Sequence, residues 1–190
     1  MKDITTKAMQ LENEFSALRR NLKALIFSLT ACDSNTNLTK EIGQYARKMP
    51  KFTILVNQQD RLVSLVGKVC TGEILPERAV QLCIEEKGKL DKQFEDMKQN
   101  LSKEINDALT FVCALIDALD ECNATTNLTN KIGRYARKMP EFKILSEQRI
   151  KCLSLIRQVC TGEMSPENAS QLLVESVGQL HAANDYLNKL

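Results

Sequence analysis

PERAVQLCIEEKGKLDKQFEDMKQNLSKEINDALTFVCALIDALDE, residues 76–121, is the stretch on which the fold turns. Its apolar residues Ala79, Cys83, Leu90, Phe94, Met97, Leu101, Ile105, Ala108, Val112, Leu115 and Leu119 stay in register at helical spacing. No proline follows Pro76, and Gly88 is the single weak point. The pattern predicts one unbroken helix of about 45 residues, roughly 70 Å long at the α-helical rise.

On either side of that helix the chain repeats itself. Cys32 to Leu82 returns as Cys122 to Leu172 at an offset of 122 − 32 = 90 residues, with about 29 of roughly 51 positions identical. The closest matches are the hexapeptide Tyr45–Pro50, repeated as Tyr135–Pro140, and Cys70–Glu73, repeated as Cys160–Glu163. A repeat of this length predicts two helical units, residues 1–90 and 91–190, with the helix at about 76–121 shared by both.

The remaining helices follow from the same periodicity. Ile4, Ala8, Leu11, Phe15, Leu18, Leu22, Leu25 and Leu29 form one stripe and predict a helix from about Asp3 to Ala31, followed by a polar cluster in which Thr36 or Asn37 can cap the next helix. From Leu38 the stripe runs through Ile42, Tyr45, Met49, Phe52, Val56, Leu62, Val66 and Val69, with Gln59 the one polar intruder. Because that phase crosses Pro50 undisturbed, the reading is one helix over 38–70, kinked at the proline, with its copy kinked at Pro140. The alternative is a real chain reversal at each proline, giving four-helix units. Gly72 and Gly162 suit the left-handed residue that closes a helix, and Pro76 and Pro166 suit the first turn of the next.

The expected architecture is all-α: two tandem antiparallel bundles of three long helices, the third helix of the first running into the second. In topology this resembles spectrin-type repeats, although no motif is shared and no functional residue carries over.

Composition sets limits on function. The sequence is 43% hydrophobic and 26% charged, with Gly 7, Pro 4 and Trp 0, which fits a folded helical chain with few turns. The net charge of +2 divides into 14 basic and 10 acidic residues over 1–90, and 11 and 13 over 91–180, too mild an asymmetry to indicate nucleic acid. No apolar run has the length of a membrane span and no secretory leader is legible, so a cytoplasmic setting is expected. Reduced thiols suit that compartment.

Few residues point to chemistry. The seven cysteines form no CxxC pair, and His181 stands alone in the last helical stretch, so neither a metal nor a cofactor is expected. Cys32 and Cys70, with copies at Cys122 and Cys160, fall at opposite ends of a three-helix unit but share an end in a four-helix one. They read as small apolar side chains at helix ends. Sequons at Asn37, Asn100, Asn123, Asn127 and Asn168 would matter only in a secretory pathway, and Asn37 and Asn127 read as helix caps. Phosphate loops, nucleophile elbows and paired metal histidines are all missing, so neither catalysis nor a small-molecule substrate is expected.

The feature left over is a recurring pair of cations. With Ile42, Tyr45 and Met49 turned inward, Arg47 and Lys48 point outward, as do their copies Arg137 and Lys138. Lys51 and Arg134 lie close by, where the two copies have already diverged, Lys51 to Glu141 and Gln44 to Arg134. These six residues are the candidate binding surface for acidic partner helices or for phosphate-bearing headgroups. The leading expectation is therefore a non-enzymatic interaction or adaptor protein that binds another protein through repeated surfaces. A peripheral binder of anionic membrane and a secreted bacterial effector acting as a host adaptor are the alternatives.

Overall fold

The computed structural model describes residues 4–190, and all regular structure among them is α-helical, with no strand. In chain order the helices are α1 (Ile4–Thr30), α2 (Leu38–Glu41), α3 (Gly43–Lys48), α4 (Val56–Cys70), α5 (Pro76–Asp120), α6 (Leu128–Lys131), α7 (Gly133–Lys138), α8 (Ser146–Thr161) and α9 (Pro166–Leu187). The helix anticipated from the opening stretch is present as α5, 45 residues without a break. The expected start of α1 at Asp3 lies outside the described residues.

The chain divides into two compact units, one of Met9–Asp96 and one of the described residues up to Ala8 together with Met97–Leu190. In the Met9–Asp96 unit, Leu11, Phe15, Leu18, Leu22, Leu25 and Leu29 of α1 are all buried, as the stripe requires, and so are Ala79, Cys83, Leu90 and Phe94 of α5. In the other unit, one cluster joins Phe111, Val112, Leu115 and Leu119 of α5 to Ile156 and Val159 of α8 and Leu173 of α9. A second cluster packs Ile4 and Ala8 against Leu101, Ile105, Leu145, Leu180 and Leu187.

The stretch 38–70 is not one kinked helix. α3 ends at Lys48, Met49 is extended at φ −67° and ψ 127°, and α4 begins only at Val56. The cause lies in the backbone: Pro50 supplies no N–H to a helical ladder, and its ring drives the residue before it out of the α region. The chain then turns back, because the Cys70 thiol donates to the Leu38 carbonyl at 3.5 Å. In an unbroken helix those residues would stand about 48 Å apart. Cys160 reaches Leu128 in the same way at 3.7 Å, so the reversal is made twice. Each return is close: a Cβ added at Gly43 or Gly133 would lie 3.4 Å from the sulfur of Cys70 or Cys160.

The apolar phase survived the break because the connecting segment also buries every third residue. Met49, Phe52 and Leu55 are buried, as are Met139, Phe142 and Leu145. The helical reading slips by one position after the break: Leu55 is fully buried whereas Val56 is 43% exposed. Leu55 recurs as Leu145 while Val56 has become Ser146, which is the mark in the sequence of which residue the core needs.

Other terminal features follow the local code. Asn37 accepts the Lys40 N–H and Asn127 the Asn130 N–H, both at 3.0 Å, and Ser165 accepts the Asn168 N–H at 3.2 Å. Gly72 and Gly162 take the left-handed conformation at φ 78° and 77°. Gln59, the polar intruder, staples the connection by accepting the Phe52 N–H at 3.1 Å and donating to the Pro50 carbonyl at 3.0 Å. In the copy Arg149 makes only the second of these bonds, to Pro140 at 3.3 Å. Replacing Gln59 by Ala is expected to lower stability by about 1 kcal/mol, read as a shifted urea midpoint at unchanged slope; an unchanged midpoint would show the staple to be idle.

Candidate functional site

Each proline connection is pinned by one carboxylate from a neighbouring long helix. Glu14 of α1 is buried and accepts the backbone N–H groups of Thr53 (3.0 Å), Ile54 (2.8 Å) and Leu55 (3.1 Å), together with the Thr53 hydroxyl (2.8 Å). These N–H groups precede the first turn of α4, so Glu14 does the work of an N-cap from another helix. Burial by itself raises the Glu14 carboxyl, but the hydrogen bonds from Thr53, Ile54 and Gln10 outweigh it and hold the pKa at about 2. Glu104 of α5 likewise accepts the backbone N–H groups of Lys143, Ile144 and Leu145, each at 2.9 Å. The two carboxylates are themselves 104 − 14 = 90 residues apart, so the duplication reaches beyond its most similar segment. The sequence reading passed over them because they lie outside the stretch of high identity; the constant offset was the signal that could have found them.

The predicted cations flank these connections. Arg47 and Lys48 occupy the last turn of α3, and Arg137 and Lys138 the last turn of α7. All four are exposed, as are Lys51 beyond Pro50 and Arg134 on α7. Arg47, Lys48 and Lys51 belong to one unit and Arg134, Arg137 and Lys138 to the other. Among the described residues none of the six forms an ion pair; Lys48 donates to the Gln44 amide oxygen at 2.9 Å, and Arg134 lies 5.5 Å from the centre of the Tyr135 ring. The rest of the hexapeptide has structural work. The Tyr45 hydroxyl meets Ser28 Oγ at 2.7 Å and donates to the Ala24 carbonyl at 3.2 Å, Met49 is buried, and Pro50 makes the break.

A second repeated feature was not anticipated. Between α4 and α5 lies a groove of about 470 Å³ with Leu65, Ile74 and Leu82 on its floor and Ser64, Lys68 and Glu86 among its rim residues. Between α8 and α9 lies another of about 330 Å³, formed by Leu155, Met164 and Leu172 with Ser154, Gln158 and Ser176. Position for position these sets are 90 residues apart. The floor has stayed apolar and the serine has stayed a serine, while Lys68 has become Gln158 and Glu86 has become Ser176. No periodicity argument reveals such a groove, because its apolar residues are half-buried, or in the case of Leu172 exposed, and lie beside the core stripe.

The thiols and the histidine bring no reactive arrangement with them. Burial pushes Cys83 and Cys152 up to about 11 and also raises Cys32, Cys122 and Cys160, which disfavours the thiolate form. Just beyond α1 and α5, Cys32 and Cys122 donate to the Ser28 and Ala118 carbonyls of the last turns, at 3.2 Å each. His181 is exposed on α9. Among the described residues no group of three His, Cys, Asp or Glu side chains is placed to hold a metal ion, and no helix is long and apolar enough to cross a membrane.

Comparison of the chain with protein-family models, with curated proteins and with solved structures returned no match.

Proposed function

We propose that this chain is a non-catalytic binding protein, a tandem of two equivalent helical bundles, each of which receives an amphipathic helix of a partner protein in the groove beside its Pro-broken helix pair. The observation that carries this reading is the retention of the groove floor. Leu65/Leu155, Ile74/Met164 and Leu82/Leu172 remain apolar although each is partly open to water, where core packing alone does not demand it. A trough between two helices, apolar along its base and polar at its edges, matches the ridge of a third helix in shape and in chemistry. The altered rims, Lys68/Gln158 and Glu86/Ser176, would give the two grooves different preferences for the charges that flank the partner's apolar face.

Photo-crosslinking residues placed at Leu82 and at Leu172 test this in the full chain, with an equivalent residue at exposed Gln99 as the control. Discrete protein adducts from both groove positions, lost when Leu65→Asp or Leu155→Asp is added to the same groove, are the expected result. No adduct at either groove, or the same adducts from Gln99, would overturn the reading.

A further inference from the structure

We propose that the Met9–Asp96 unit also carries a docking face for an anionic bilayer, formed by Phe27, Arg20 and Lys23 of α1 with Arg47 and Lys48 of α3. Phe27 is 77% exposed, more than any other large apolar residue among those described. Arg20 and Lys23 precede it by seven and four residues, which sets all three on one stripe of α1, and both are exposed. The Tyr45 hydroxyl, bonded to Ser28 Oγ and the Ala24 carbonyl, fastens α3 to this same stretch of α1. Arg47 and Lys48 follow two and three residues further along this short helix, and both are exposed. Among the described residues none of the four cations has a carboxylate partner.

The duplication supplies an internal comparison. At the positions equivalent to Arg20, Lys23 and Phe27, the other unit has Thr110, Cys113 and Asp117, all exposed on an intact α5. Asp120 and Glu121 follow where the Met9–Asp96 unit has Thr30 and Ala31. The helix therefore forms as well with Asp at this position as with Phe, so nothing in the packing calls for an aromatic there. The occupant is indicated by the shape and charge of the face. A protruding ring with two cations on its own helix face, and two more on the helix bonded to that stretch, matches a surface that is soft, apolar at shallow depth and negative at its rim, which is an anionic headgroup layer. The Asp117 face would be repelled by the same layer.

Flotation of the full chain with vesicles of phosphatidylcholine, with and without about 30% phosphatidylserine, tests the proposal. Binding to the anionic vesicles alone is expected, weakened at least about tenfold by Phe27→Asp and by Arg20→Ala with Lys23→Ala, and unchanged by Asp117→Ala. Circular dichroism checks that each variant keeps its helicity; Phe27→Ser serves as a second probe of the ring. Equal binding to neutral vesicles, no binding to either, or binding indifferent to the α1 variants would overturn it. Displacement by inorganic phosphate at constant ionic strength would do so as well, by assigning the cations to a soluble anion.

Discussion

Replacing Glu14 by Ala is expected to destabilise the protein by about 3 kcal/mol and to lower its melting temperature by on the order of 10 °C. One side chain accepts three backbone N–H groups and a hydroxyl where the chain re-enters a helix, and the Leu55 residue it serves is fully buried. Its loss leaves those donors facing an apolar neighbour, a larger penalty than losing an exposed cap. The pH dependence supplies an independent check. A folded pKa of about 2, against an ordinary 4.5, means that the unfolded chain binds the proton more readily. The contribution of Glu14 is thus complete above about pH 4.5 and is lost as pH falls towards 2, amounting to about 3 kcal/mol over that window. Denaturant titrations between those limits should show a slope in the parent protein that the Ala variant has largely lost. Parallel pH profiles for the two proteins, or a melting temperature changed by only about 2 °C, would mean that water replaces the carboxylate at little cost.

Truncating Phe15 to Ala should cost slightly more, about 4 kcal/mol. The ring is fully buried and lies 5.0 Å from the Phe94 ring at a tilt of 55°. On Phe94 rests the Arg19 guanidinium, 4.6 Å from the ring centre, which also bonds Asp91 at 2.7 Å. Removing Phe15 therefore opens a cavity and loosens the ring that carries the Arg19–Asp91 pair. Phe15→Leu should recover more than half of the loss, since it keeps most of the volume. Hydrogen exchange should place the weakening within Met9–Asp96 and leave the amides of α8 and α9 near their original protection. A loss below about 1 kcal/mol, or one spread evenly over both units, would overturn this account.

The equivalent positions of the two units show how each part of the fold was legible. Phe15 corresponds to Ile105 and Leu22 to Val112, all four buried, so the core tolerates a change of shape as long as the position stays apolar. That tolerance makes the helical stripe readable from sequence. Gln59 and Glu14 behave differently. Their roles depend on partners several to several tens of residues away, and a periodicity argument registers a polar residue beside the stripe only as an exception. Pro50 was readable as a breaker, but the continuing apolar phase argued against the break. A turn that drops Met49, Phe52 and Leu55 into the core imitates a helix at that spacing. The exposure of Arg47, Lys48, Arg137 and Lys138 followed correctly from the inward placement of their neighbours, whereas the grooves could not be foreseen because they exist only once two helices lie side by side.

By itself the sequence determined the end of α1, the extents of α5 and α9 to within a residue or two, the Asn and Ser caps, the left-handed glycines and the 90-residue correspondence between the units. These rest on interactions between residues a few positions apart, for which spacing and residue type are sufficient physics. Only the tertiary structure decided that the chain reverses at Pro50 and Pro140, that Glu14 and Glu104 anchor the connections, and that α3, with Arg47 and Lys48, is bonded to the stretch of α1 that exposes Phe27. Each of these depends on contacts across tens of residues, and the direction a chain takes after a proline is set by what it can bury and bond on its return rather than by the proline.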